Sequence, residues 1–370
     1  MKKCYRWCLL LTALCVASAS TAQIRVGQTA GFSGTVSATV KEATAGAKLY
    51  IDDVNAKGGV NGQTIELISL DDQFEPDQAA ANARKLIEEH KVVALFLTRG
   101  TPHNLAILPL LEQYGVPLVG PSTGAMVLHE PVLKHVFNVR APYQREAEKG
   151  IAQLLAMGYS RIGLVYVDDS FGTDGLAGAL KGFEAAKLAP VFQEKFDRKK
   201  PDFGPIVART LPAHAQTIFI LGSGQAVVDG IAAFRAAGVQ AQFATLSNNA
   251  SSGFIKLLGA NAQGLIVTQV FPSERASSYP LVAQAQALST AKGTGDISPA
   301  MLEGFASAKV LVEAIRRAGK KPSPSKIQAA LEGLQNFDIG GLVINYSKQN
   351  HTGLVFSDLS VVTANGKFKR

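Results

Sequence analysis

Five loops carry the residues best suited to chemistry. Thr98-Arg99-Gly100-Thr101-Pro102-His103-Asn104 and Gly120-Pro121-Ser122-Thr123-Gly124 are rich in small hydroxyl and glycine residues. At a helix entrance such segments leave backbone N–H groups unpaired and positively polarised, which suits a carboxylate or another anion. Ordinary caps and turns have the same composition, and it is the recurrence in two loops that favours a site. Asp168-Asp169-Ser170-Phe171-Gly172 offers two carboxylates, either for a cation or polyol or as caps of the next helix. Its Phe171 either presents an apolar face to a ligand or closes its own domain. Gly222-Ser223-Gly224 imitates part of a dinucleotide-binding loop. Val227 stands at the third glycine position, however, and no acidic residue ends the next strand. Ser247-Asn248-Asn249 is polar and uncharged.

Catalytic constellations are poor. The six histidines (90, 103, 129, 135, 214 and 351) are scattered without metal-ligand spacing. There is no phosphate-binding Walker loop and no Gly-x-Ser-x-Gly elbow. His103 beside the first loop could serve as a base, with Thr101 as the nearby nucleophile, but a surface histidine at a helix start is the plainer expectation. The expectation is a protein that is not an enzyme, without metal or cofactor.

The elements that must position these loops alternate between two patterns. Short β-rich runs at 24–29, 64–70, 92–97 and 117–119 are separated by helical stretches at about 40–55, 77–89 and 105–113. The rhythm restarts with a helix at 142–157. Strands follow at 161–167, 191–196, 217–221, 242–246 and 265–271, with helices at 172–187, 203–210 and 225–236 between the first four. Strands spaced by such helices predict parallel sheets covered on both faces. Two series fit two doubly wound α/β lobes better than one very wide sheet. A long helix at 299–318 and a shorter one at 325–334 follow, then strands at 341–346 and 357–363 joined by a polar turn. In open parallel sheets ligands bind beyond the carboxyl ends of the strands, where the five loops lie.

Composition sets the outer bounds. The 370 residues are 47% hydrophobic and 18% charged, which excludes disorder and leaves room for two domains. All three cysteines, Cys4, Cys8 and Cys15, fall in an N-terminal segment with Lys2, Lys3 and Arg6, an apolar run and a Ser20-Thr21-Ala22 exit. That is the pattern of a secretory signal peptide over residues 1–22, with an N-terminal anchor helix as the alternative. Leu14 before Cys15 argues against lipoprotein attachment. Cleavage removes every thiol, so the exported product needs no disulfide and works outside the cytosol. Other basic residues are dispersed rather than gathered in a stripe with aromatics, so no nucleic acid is expected.

A further set of residues is more specific. Ser33-Gly34, the stretch Asp52-Asp53-Val54-Asn55-Ala56-Lys57-Gly58-Gly59-Val60-Asn61-Gly62, Asp71-Asp72 with Pro76, Gly115-Val116-Pro117 leading to Pro121-Ser122, and Asp168-Asp169 through Gly172 recur along the chain. Together they resemble the leucine/isoleucine/valine-binding proteins, the type I periplasmic solute receptors of branched-chain amino acid ABC transporters. The similarity covers essentially the whole exported chain.

The resemblance implies two lobes joined by a three-crossover hinge and closing over one ligand. Residues 23–140 with 272–350 would form lobe 1, and 141–271 with 351–370 lobe 2. It implies a monomeric carrier in the periplasm that hands an amino acid or related carboxylate to an inner-membrane ABC permease. An exported sensor signalling to a membrane receptor is the alternative. The implied ligand-binding residues are Ser33, Arg99, Gly100, Thr101, Ser122, Thr123 and Gly124 from lobe 1. Lobe 2 would add Phe171, Ser223, Gly224, Ser247 and Asn248. Two departures stand out: the family's aromatic in the first loop falls at Thr39, and its ammonium-pairing acid falls near Ser247. The anion end of the pocket is retained while the cation end is not, so a carboxylate without an amino group is expected to be accepted. Arg99 either adds positive charge to the anion end or points to solvent.

Overall fold

The structure is a computed structural model that describes residues 23–370; the signal peptide expected at 1–22 lies outside the described residues. The chain begins with β1 (Ile24–Ala30), α1 (Ser37–Ala56), β2 (Ile65–Asp71), α2 (Pro76–Glu88), β3 (Leu95–Phe96), α3 (Thr101–Tyr114), β4 (Leu118–Val119) and β5 (Val136–Phe137). These strands form one parallel sheet in the order β2-β1-β3-β4-β5. Of the apolar run 92–97, only Leu95 and Phe96 are strand. Val92 N–H turns back to the Leu86 carbonyl, and Leu97 takes a positive φ of 50°, which ends the strand where the first ligand loop begins.

The chain then crosses to α4 (Tyr143–Ala156), β6 (Ile162–Val167), α5 (Ser170–Ala185), β7 (Phe192–Phe196), α6 (Gly204–Thr210), β8 (Thr217–Leu221), α7 (Gln225–Ala236), β9 (Gln242–Thr245), α8 (Ser252–Leu258) and β10 (Ile266–Gln269). It crosses back through α9 (Pro280–Lys292), α10 (Pro299–Ala318), α11 (Pro324–Glu332) and the small pair β11 (Phe337–Asp338) and β12 (Val343–Ile344). A third crossing delivers β13 (Asp358–Val362) and β14 (Phe368–Lys369) to the second sheet, whose order is β14-β13-β10-β9-β8-β6-β7. Strands β6 to β10 are parallel, and β13 and β14 add to one edge through antiparallel pairings. Two lobes joined by three crossings result, each with its own apolar core.

Two points differ from expectation. The strands expected at 341–346 and 357–363 do not pair: the first closes a hairpin with β11, the second joins the other lobe. Helices α8 and α9 were not anticipated. In α9 the buried face is only Leu281, Val282, Ala285 and Ser289, so Ala, Gln and Ser blur its apolar stripe.

Helix α10 matters most for the site because it backs lobe 1 at the lobe boundary. It packs along α1 at near backbone contact. A Cβ on Gly46 would lie 1.9 Å from the Met301 carbonyl oxygen, and one on Gly304 would lie 1.8 Å from that of Ala43. Only glycine permits this approach. The N-terminal turn of α10 is capped by Ser298, and its Ala300 N–H donates to the Ala250 carbonyl of the other lobe at 3.0 Å. Glu303 is thereby held at the junction.

Candidate functional site

An isolated bridge between Arg99 and Ser122 extends the β3–β4 pairing, so the two residues lie side by side beyond the strand ends. The Arg99 guanidinium donates through Nη1 to Ser122 Oγ (3.0 Å) and through Nη2 to the Asn248 carbonyl of the facing lobe (2.7 Å). Arg99 is 4% exposed, so it points into the lobe junction and not to solvent. Both oxygens it touches are neutral, and burial pulls the guanidinium below its ordinary pKa. Beside it, Thr101 and Thr123 share a hydroxyl–hydroxyl hydrogen bond of 2.8 Å. Gly100 caps α3 at φ 92°, and the Gly124 carbonyl accepts from Tyr143 N–H at 2.6 Å.

The first crossing supplies a second buried cation. Arg140, 1% exposed, donates through Nη2 to Glu146 Oε1 and to Ser247 Oγ, each at 2.7 Å. Its Nη1 faces Glu303 Oε2 at 3.6 Å, beyond hydrogen-bond length, and its guanidinium carbon lies 4.5 Å from the Tyr143 ring centre. Glu146 is completely buried; its Oε2 accepts from Ser247 N–H at 2.6 Å and from the Thr268 hydroxyl. Burial alone would lower Arg140, but Tyr143 and the carboxylates of Glu303 and Glu146 together outweigh it and hold the guanidinium above its ordinary value. A carboxylate therefore does lie beside Ser247, where the sequence offered none. It comes from α4 and is already bonded to Arg140.

The second-lobe loops divide. Asp169 is a cap: its Oδ1 accepts from the N–H groups of Phe171 (2.8 Å) and Gly172 (3.0 Å), and Oδ2 pairs with Arg198. Phe171 is buried edge-on against Tyr143, ring centres 4.9 Å apart, one layer behind the arginines. Asn248 donates to the Gly222 carbonyl (3.1 Å) and Ser223 Oγ (2.9 Å), and its own Oδ1 is buried without a partner. Gly224 has φ 54°, and a Cβ there would lie 1.8 Å from the Thr35 carbonyl oxygen of the opposite lobe. Its service is close approach between lobes.

Other contacts also cross the gap. Thr39 Oγ1 meets Ser251 Oγ at 2.9 Å, and Gln225 N–H donates to Thr35 O at 3.0 Å. Glu42 accepts from Ser252 N–H (3.0 Å) and Gly253 N–H (2.7 Å), capping α8 from the other lobe. Arg198 lies over the Phe74 ring at 4.9 Å. The two lobes are shut on one another. A cavity of about 100 Å³ persists at the rim, lined by Thr35, Phe74, Arg198 and Ser223. A larger cavity of about 770 Å³ sits at the far end of lobe 2, beside Phe192, Leu211 and Phe234, away from every residue above. Size does not identify the site here.

Of the expected residues, Arg99, Ser122, Ser247 and Asn248 converge, with Gly100, Thr101, Thr123 and Gly124 flanking them. Ser33 does not: its N–H and hydroxyl are spent on Asp71 at the exposed rim, at 3.1 and 2.6 Å. His103 is no surface residue. It is fully buried, stacked on Phe74 at 4.3 Å, and burial pushes its ring down to about 4. Arg140, Tyr143, Glu146 and Glu303 were missed. The signal for Glu303 was available, as the lone acid in a stretch from Pro299 to Val312 whose only other polar side chains are Ser307 and Lys309; the other three are brought in by the first crossing and the helix it leads into.

The sequence matches the family described as periplasmic binding protein over residues 23–368. A substrate-binding periplasmic protein from Ralstonia solanacearum superposes with a TM-score of 0.85 at 33% identity, over 93% of this chain and 99% of that one. A possible leucine/isoleucine/valine-binding protein from Rhodopirellula baltica SH 1 gives 0.87 at 26% identity, over 95% and 97%. The Leu/Ile/Val-binding protein of Escherichia coli K12 is 25% identical over 66% of this chain and 67% of its own length. Two sheets on three crossings, a shut junction lined by both lobes and this likeness along the whole described chain lead to one conclusion: the chain belongs to the periplasmic binding protein family, as a solute-binding protein of the leucine/isoleucine/valine-binding type and not an enzyme.

Proposed function

We propose that this protein captures a small carboxylate-bearing molecule, an amino acid or related acid, between its lobes and delivers it to an ABC permease of the inner membrane. One observation carries the ligand class. Arg99 is a buried guanidinium whose hydrogen-bond partners, Ser122 Oγ and the Asn248 carbonyl, bear no charge. A cation held in that state is costly, and a carboxylate inserted between Arg99 and Ser122 would replace neutral contacts with charge-assisted ones. Ser122, Thr123 and Gly124 frame that position from lobe 1, and Asn248 closes it from lobe 2. Ligand arrival in the open form and closure over it are then one equilibrium, because the hydrogen bonds of Arg99 reach both lobes.

The test is a thermal-shift panel of amino acids, aromatic acids, short fatty acids and neutral amides on the wild-type protein and Arg99→Ala. A ligand that binds only the folded protein raises its melting temperature by mass action. Acids should shift the wild type and not the variant, and amides neither; a shift by amides alone defeats the reading.

A further inference from the structure

The junction holds polar atoms that the carboxylate does not use. Arg140 Nη1 and Glu303 Oε1 are both buried without a hydrogen-bond partner, on side chains 1% and 7% exposed. They belong to a facing pair, with Nη1 3.6 Å from the other Glu303 oxygen. Elsewhere Arg140 is fully engaged: Nη2 serves Glu146 and Ser247. The pair therefore presents one open donor and one open acceptor, each destabilising while unsatisfied.

Its placement is within reach of the same small ligand. Arg140 is tied to Ser247 and Arg99 to Asn248, consecutive residues of one loop whose Cα atoms are about 3.8 Å apart. Glu303 also lies close enough to bear on the charge of both arginines.

We infer that Arg140 and Glu303 form a second polar subsite that recognises a hydroxyl on the ligand, so that the preferred acids are hydroxy acids. This rests on the carboxylate reading above and names the subclass. A hydroxyl oxygen accepts from Arg140 Nη1 while its proton goes to Glu303 Oε1, which completes both groups. An ammonium satisfies the glutamate but offers nothing to Nη1 and brings a like charge against Arg140. A methyl or methylene leaves both groups unpaired. Sites that hydrogen-bond a substrate hydroxyl reject the analogue lacking it by about 10⁴-fold or more. A lone trapped water in place of the hydroxyl would give no such discrimination.

Isothermal titration with matched pairs decides the matter: lactate against propionate, 2-hydroxyisocaproate against isocaproate and leucine, and 4-hydroxybenzoate against benzoate. In the wild type at least one hydroxy acid should bind a hundredfold or more tighter than its deoxy partner. Glu303→Met, which keeps the volume and removes the acceptor, should cut that ratio to threefold or less. Glu303→Gln, which keeps an acceptor oxygen without charge, should give an intermediate ratio and guards against a folding defect in the first variant. Equal binding of every matched pair overturns the subsite and leaves the carboxylate reading standing. So does leucine binding in preference to 2-hydroxyisocaproate, or discrimination that survives in both variants. If no acid of any kind binds, the carboxylate reading falls, and the subsite with it.

Discussion

Two sets of polar groups at the junction are treated differently. In the lobe-1 loops the threonine hydroxyls are already paired: Thr101 with Thr123, and Thr98 donating to Asn104 Oδ1 at 2.6 Å. Where the lobes meet, by contrast, Arg140 Nη1 on the first crossing and Glu303 Oε1 on α10 are left open, and Arg99, in the same loop as Thr101, bonds only to neutral oxygens. A satisfied group fixes a loop, whereas an unsatisfied buried one waits for a partner. Hydroxyl-rich composition, the first thing visible in these loops, therefore marks scaffold at Thr101 and Thr123 as much as contact with a ligand.

Removing the open set should have the largest effect. Arg99→Ala should weaken an acid ligand on the order of a hundredfold by titration, the loss of a charge-assisted pair. Thr101→Val, in the satisfied set, should change affinity by about threefold or less while lowering the melting temperature. If the two variants lose affinity equally, the contrast between the sets is false.

Next in size is a pH effect behind the lobe-1 loop. His103 has a folded value of about 4 against an ordinary 6.5, because burial disfavours the charged ring. Folding thus favours the neutral form; the stability this gives is complete above pH 6.5 and is lost as the pH falls toward 4. Asp72, raised by burial to about 6, runs the other way, with stability present below its unfolded value and lost as the pH rises through 6. His103→Phe should shrink the loss of unfolding free energy between pH 7.5 and 4.5 by about 2–3 kcal/mol in urea titrations. An unchanged loss would show that the ring is charged or solvated in the folded state.

Closure contacts come last. Gly224→Ala places a Cβ against Thr35 O and should hold the lobes apart, lowering affinity about tenfold with a larger ligand-bound radius of gyration by X-ray scattering. Thr39→Val removes one lobe-bridging hydrogen bond and leaves Ser251 Oγ only its Phe254 N–H partner, for about 1 kcal/mol of closed-state stability, read as a few-fold faster ligand release.

Much of the frame was legible. Thr217–Leu221 and Gln225–Ala236 are found where period and end signals place them, because each is a local pattern bounded by its own breakers. Arg99 and Ser122 were recognisable as strand-end residues, since strand ends follow from the pattern. The C-terminal strands were visible but their partners were not, because pairing depends on where the third crossing leads.

Sequence alone determined two wound lobes, the strand-end loops and the family, since periodicity and motif spacing are properties of neighbouring residues. Only the tertiary structure decided that Arg140, Glu146 and Glu303, distant in the chain, would share one buried junction with Arg99. Which polar groups remain unpaired is a property of that junction, because a hydrogen bond is completed by whatever the fold brings within 3 Å and not by what stands beside it in the chain.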